Sequence, residues 1–230
     1  MPFLFFDPVY FLFALPAMFF AMWAQWRVQS SYQKWSQVPS AKRLSGMDVA
    51  KVLMRNEGLD HVQIEHINGV LTDHYDPMNR VVRLSEPVYY ESSISAISVA
   101  CHEVGHAIQH ANSYPMLVLR HKMFPLVNLV SGIAPFLLIA GFIFSVTGLI
   151  GAGIVFFSLA VVFQLVTLPV EFNASSRARD LMISEGFIRS EEEGGVAKVL
   201  NAAALTYVAA ALISLLELLK FIMIFASNRE

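Results

Sequence analysis

Cysteine is almost missing from this chain. Its 230 residues include one, Cys101, so no disulfide can close within the chain and no disulfide framework organises the fold. Charge is also scarce. Only 15% of residues are charged, against about 25% in an average soluble domain. A net charge of −2 and a pI near 6.4 supply no basic footprint for nucleic acid. Internal repeats and low-complexity stretches are lacking too. Apolar surface is what the chain has in excess: 56% of residues are hydrophobic and the mean hydropathy is +0.54. Length allows one or two domains, and the composition favours one small polar module threaded between membrane spans.

The apolar runs define those spans. Phe3 to Trp26 is almost wholly apolar and aromatic, interrupted by Asp7 and two prolines. A signal peptide would start basic and end at small residues. This segment instead ends in Trp23 and Trp26 followed by Arg27, which predicts an uncleaved transmembrane helix with interfacial tryptophans. Phe124–Val146 and Gly148–Val170 are two further spans, separated so tightly that only a helical hairpin fits. Val199–Phe225 is a fourth, and it carries Glu217 and Lys220, which implies packing inside the bundle or at an interface. The expected division is a first span at 1–26, a polar module at 27–122, a helical hairpin at 123–170, a polar helix and loop at 171–198, and a last span at 199–230. Basic residues concentrate in Arg27 to Lys122 and in Arg177 to Lys198. The positive-inside rule then puts both stretches in the cytoplasm and both termini outside, with Arg229 a mild exception.

The polar module reads as mixed. Ser45 precedes an amphipathic run from Val49 to Leu59, with Gly58 as its stop. His61–Ile67 alternates as a strand does. Asn68-Gly69 predicts a hairpin that returns through Val70–Tyr75. Asp76-Pro77-Met78-Asn79 predicts a second turn, and Arg80–Ser85 a third strand. Ser92 or Ser93 caps a helix running from Ile94 to about Ala111. The segment Glu191–Gly195 reads as a loop.

That last helix carries His102-Glu103-Val104-Gly105-His106. Histidines four residues apart project from one helix face and can grip one metal ion. The glutamate between them is placed to take a proton from a water activated by that metal and to pass it to a leaving group. A catalytic zinc usually has three protein ligands, so one more is needed. His110 is nearest, yet three histidines at this spacing span about 12 Å between outer Cα atoms on a straight helix and cannot converge. His110 therefore suits a supporting, surface or capping role. Glu171, where the third span ends, is the better candidate. Two spans separate it from His106, and an even number is what returns it to the same side of the membrane.

Together, Leu71-Thr72-Asp73-His74-Tyr75-Asp76-Pro77, Leu84-Ser85, Val99 through Gln109 and Glu171-Phe172-Asn173-Ala174-Ser175 resemble the bacterial YugP-like neutral zinc metallopeptidases, over nearly the whole chain. That family in turn resembles the gluzincin membrane peptidases of the HtpX and CAAX-processing type. The resemblance implies a mainly α integral membrane protein of about four transmembrane helices with a small α+β zincin-like catalytic module. It implies a Zn2+ cofactor held by His102, His106 and Glu171, with Glu103 as general base. It further implies a multi-pass protein of the bacterial inner membrane with a cytoplasmic active site. The partners would be the lipid bilayer and a peptide or membrane-protein substrate, with other protein partners or a homo-oligomer left open. One position departs from the gluzincin pattern: four residues after Glu171 stands Ser175 rather than aspartate, so Ser175, Asn173 or Asp180 would have to orient the helix instead. Arg80–Ser85 would be an edge strand able to pair with substrate. Tyr207, Arg177 and His110 are the candidates for oxyanion donor. His61, His66, His74, Asp76 and His121 read as structural. Cobalt or manganese suits similar ligands. The same chemistry would also serve a lipid or another amide or ester, whereas a scaffold with a structural metal would have no need of Glu103.

Overall fold

A computed structural model of the protein describes residues 8–227. The chain forms helix α1 (Pro8–Ser36), α2 (Gly46–Asn56), strands β1 (Gln63–Ile67), β2 (His74–Asp76) and β3 (Val81–Ser85), and helices α3 (Glu86–Tyr90), α4 (Ile94–Ala111), α5 (Pro115–Ile143), α6 (Thr147–Ser184) and α7 (Ser190–Ser227). It is mainly helical with one small sheet. The chain divides into two units, and the divisions fall inside α1, α5, α6 and α7.

The first unit comprises residues 1–23, 118–169 and 206–230. Among the described residues, α5, α6 and α7 are long and apolar enough to cross a membrane. Large apolar side chains face outward here, with Phe136 and Ile143 each at least 70% exposed. Such a surface is suited to lipid and costly in water. The hairpin expected between the second and third spans is present, its bend reduced to residues 144–146. Gly141 and Gly153 let α5 and α6 approach closely: a Cβ at either would lie 2.7 Å from Ile150 or Leu138. Small residues at such contacts let helices pack in lipid. Glu217 and Lys220 form an ion pair one turn apart on α7, with the ammonium over the Phe221 ring, so neither charge is buried alone. The expected first span is helical from Pro8 onward, while residues 3–7 and Arg229 lie outside the described residues.

The second unit comprises residues 24–117 and 170–205. Its core gathers α4 with α2, the sheet, α3 and residues 170–200, around Leu53, Leu84, Ile97, Val104 and Met182. Helix α2 begins at Gly46, directly after Ser45 and three residues before the expected amphipathic run, and ends at Asn56. The Ser45 side chain accepts from the Asp48 amide, and Asp48 accepts from the Ser45 amide, the reciprocal box that satisfies two orphan donors. Ser93 caps α4 by accepting from the Ala96 amide.

The sheet departs from expectation. Its order is β1-β3-β2, with β1 parallel to β3 (Gln63 opposite Val81) and β2 antiparallel to β3 (His74 opposite Arg83). Asn68-Gly69 therefore bends the chain but makes no β1–β2 hairpin. The hairpin is the β2–β3 one, at Asp76–Asn79, where Asp76 accepts from the Met78 and Asn79 amides. Nor is β3 an edge strand. It is the most buried of the three, so its apolar side chains and its ladder both demand neighbours on each side. Arg83 spans the three strands, reaching Glu65 on β1 at 3.1 Å and Asp76 on β2 at 2.6 Å. The Asn79 side chain and the Arg83 guanidinium hold the Asp76 carboxyl well below the usual carboxylate range.

Helix α6 runs unbroken past Pro169 and through Glu171, so the expected change from span to polar segment at 170/171 falls inside one helix, a residue from the division between the two units. One further expectation gives way. Residues 191–195 are the first turns of α7, not a loop; the loop lies at 185–189, with Gly186 at φ +61°. Three glutamates suit a helix N-terminus. Glu192 ties that turn down by accepting from the Arg189 and Ala41 amides, and Gly195 lies flat against Trp35.

Candidate metal centre

The centre is built where α4 crosses the polar half of α6, entirely within the second unit. Gly105 makes the crossing possible. A Cβ there would lie 2.8 Å from the Ala174 carbonyl oxygen and 3.3 Å from its Cα, backbone atoms that cannot step aside. Gly105→Ala is expected to push the helices apart, costing about 1–3 kcal/mol as overpacking does. A lowered Tm would register it; an unchanged Tm would mean the crossing tolerates a methyl group.

Three side chains meet at this crossing. His102 Nε2 lies 3.2 Å from His106 Nε2. Glu171 Oε2 lies 3.4 Å from the first and 3.5 Å from the second. A tetrahedral ion with bonds of about 2.0–2.1 Å holds its ligand atoms about 3.3 Å apart, so the triangle has the size such an ion requires. Among the described residues this is the group of histidine, cysteine and carboxylate atoms that could hold a metal.

The surrounding hydrogen bonds decide what the triangle offers. Gln109 is fully buried, and its amide nitrogen donates to the Val170 carbonyl at 2.8 Å and to Asn173 Oδ1 at 3.0 Å. Because a backbone carbonyl can only accept, the amide cannot be flipped, and Gln109 Oε1 faces His106 Nδ1 at 3.0 Å. His106 must donate there, which leaves Nε2 as its lone-pair atom. His102 Nδ1 meets Ser175 Oγ at 3.2 Å; a hydroxyl can accept from it, directing the second Nε2 lone pair inward too. Two lone pairs and a carboxylate oxygen converging in a buried space are a donor set for a cation. Burial alone would pull the His106 pKa down, but the Glu171 carboxylate, seconded by Glu103, outweighs it and the net shift is upward.

Glu103 is 7% exposed and is not one of the three converging residues. Beside it in charge is Asp73, whose carboxylate accepts from the Ser85 amide at 2.7 Å and from the Ser85 hydroxyl. Burial pushes the Asp73 carboxyl up against those hydrogen bonds, and the Glu103 charge adds to the rise. Burial likewise pushes the Cys101 thiol far up, which excludes it as a thiolate nucleophile.

His110 does not join the triangle. Its Nδ1 meets the Tyr75 hydroxyl at 2.8 Å, on β2. His66 packs on Tyr89 and Tyr90, and His74 Nδ1 meets the Thr72 carbonyl, the structural uses expected of them. Arg177 donates to Asn173 Oδ1 at 2.8 Å. Of the three residues able to replace the missing aspartate, Ser175 reaches His102, and Asn173 reaches Gln109. Gln109 and Asp73 stand out in the sequence only as letters of longer motifs. The partners of Gln109 on α6 are 61 or more residues away and the partner of Asp73 is 12 away, and no local pattern reports such contacts.

The sequence profile of the family described as "Putative neutral zinc metallopeptidase" matches residues 10–226. The chain belongs to this family. It is 57% identical over 222 residues to "Putative membrane protease YugP" of Bacillus subtilis (strain 168), an alignment covering 96% of this chain and 99% of that protein. No solved structure matches the chain. Among the described residues the His-His-Glu cluster could hold a metal ion, and the family's description names zinc.

Proposed function

We propose that this chain is a membrane-embedded zinc metallopeptidase in which His102, His106 and Glu171 hold Zn2+ and Glu103 is the general base. The observation that carries the reading is the convergence of three ligand atoms within 3.5 Å of one another, with both histidines turned by hydrogen bonds on their far nitrogens. A zinc ion held there would polarise a scissile carbonyl and lower the pKa of a water towards about 7. Glu103 accepts a proton as the new carbon–oxygen bond forms and delivers it to the amide nitrogen as the carbon–nitrogen bond breaks. Ser175 and Gln109 hold the two imidazoles in register. An extended substrate has β2 as its partner strand, since β2 has a sheet neighbour on one side only and packs on α4 through Tyr75 and His110.

The membrane part of the reading rests on α5, α6 and α7, with α1 as a fourth span. It takes the charge distribution as its guide: the basic stretches, and with them the site, face the cytoplasm of a bacterial cell. The substrate is a peptide or membrane protein presented on that side.

The test is hydrolysis by the detergent-purified chain. Denatured casein is expected to be cleaved, with activity lost on chelation and regained on adding back zinc. Intact casein alongside hydrolysis of a lipid or simple ester would assign the site to another class of zinc hydrolase. No hydrolysis of any of these by a zinc-loaded chain would leave the metal structural.

A further inference from the structure

The environment of Gln109 goes beyond ordinary packing. The side chain sits three residues after His106, fully buried, and both ends of its amide are hydrogen-bonded. One end accepts from the His106 ring at 3.0 Å. The other donates to the Val170 carbonyl and to Asn173 Oδ1. Val170 precedes Glu171, and Asn173 follows it by two. A single amide thus touches one histidine of the triangle and the backbone beside the carboxylate of the triangle. Asn173 is itself fixed, because its Oδ1 accepts from both Gln109 and Arg177 Nε. The chain of contacts runs His106, Gln109, Asn173, Arg177 and ends in a guanidinium, which can only donate. Every orientation along it follows from that end and from the Val170 carbonyl.

We propose that Gln109 is a positioning residue that couples the two arms of the metal centre, holding His106 in its Nδ1–H tautomer while clamping the turn of α6 that carries Glu171. The proposal rests on the zinc-site reading above. A buried glutamine serving only to fill space would be replaceable by leucine, which has nearly its shape. One serving as acceptor for His106 would not be, and glutamate would restore that half of the role alone, since a carboxylate accepts from Nδ1–H but has no N–H to donate to the Val170 carbonyl or to Asn173. Partners of this kind usually set metal affinity within about 10–100-fold.

The experiment uses the full chain in detergent and titrates zinc against a chromophoric chelator for wild type, Gln109→Leu, Gln109→Glu and Asn173→Ala. Visible absorption of the cobalt-substituted proteins is recorded in parallel. Gln109→Leu is expected to bind zinc about 10–100-fold more weakly and to shift the cobalt bands. Gln109→Glu is expected to recover part of the affinity lost in Gln109→Leu, because it restores the acceptor for His106 and not the donors to α6. Asn173→Ala, which removes one of the two acceptors holding the amide, should show a smaller loss in the same direction. It also keeps the test alive should Gln109→Leu fail to fold, since wild-type affinity in Asn173→Ala would then overturn the proposal. Wild-type affinity and spectrum in a folded Gln109→Leu would overturn it directly, as would equal losses in the leucine and glutamate variants. Absence of metal binding in the wild type would instead overturn the zinc-site reading itself, so the two failures are distinguishable.

Discussion

Glu103→Gln is expected to purify with as much zinc as the wild type and to hydrolyse casein about 10²–10⁴-fold more slowly, the span that general-base catalysis usually contributes. The substitution changes shape very little. It removes the ability to hold a proton, because an amide oxygen does not become a competent base near neutral pH. Metal binding should survive because the converging atoms belong to His102, His106 and Glu171, not to Glu103. Folding should survive as well: the carboxylate is nearly buried, and replacing it by a neutral amide beside the Asp73 charge removes a like-charge repulsion. Zinc counted per chain and kcat measured on the same preparation give the two answers. Wild-type kcat would exclude Glu103 as the base. Loss of zinc would make Glu103 a ligand and force the triangle to be redrawn.

The second large effect is expected at Glu171. Glu171→Ala should lose most of its zinc, with affinity falling by more than the roughly 100-fold upper range seen when a supporting partner is removed. Two imidazoles whose Nε2 atoms lie 3.2 Å apart would be left with neither the third bond nor the negative charge that offsets the metal. The helix should persist, since alanine is the best helix former and the surrounding turn stays tied to Gln109 through Val170 and Asn173. An unchanged circular dichroism spectrum alongside lost zinc would place the effect at the site. Full zinc retention would take Glu171 out of the centre and return His110 to consideration.

Parts of this architecture are legible in the chain because they are local. Helix α4 spans Ile94–Ala111, the range its serine cap and apolar pattern predict, and the reciprocal box at Ser45 opens α2 as its sequence implies. The hairpin between α5 and α6 follows from two long apolar runs with almost nothing between them. Even the pairing of Glu171 with His106, 65 residues earlier, was open to a counting argument over membrane spans. By contrast, Asn68-Gly69 predicts a turn and does bend the chain, yet the strands it joins are not neighbours. A turn signal reports backbone conformation over four residues and carries no information about which edge of a sheet the next strand will join. The triglutamate-diglycine stretch misleads in a similar way. Its composition suits a loop, but the helix dipole favours the acids and the Trp35 ring requires the glycine, and both reasons lie outside the stretch.

What the sequence by itself determined is the inventory: a lipid-suited chain with one histidine pair on one helix face, an acid able to return beside it, and too little cysteine or basic charge for the main alternatives. Those properties are set by composition and by periods of a few residues. Only the tertiary structure decided that β3 lies in the middle of the sheet, that α6 passes through Glu171 without a break, and that Gln109 and Ser175 turn the two imidazoles inward. These depend on which buried groups find partners across tens of residues. A buried amide must satisfy its hydrogen bonds wherever the fold supplies them, and the closeness of α4 to α6 rests on a missing methyl group at Gly105 whose meaning appears only when Ala174 is opposite it.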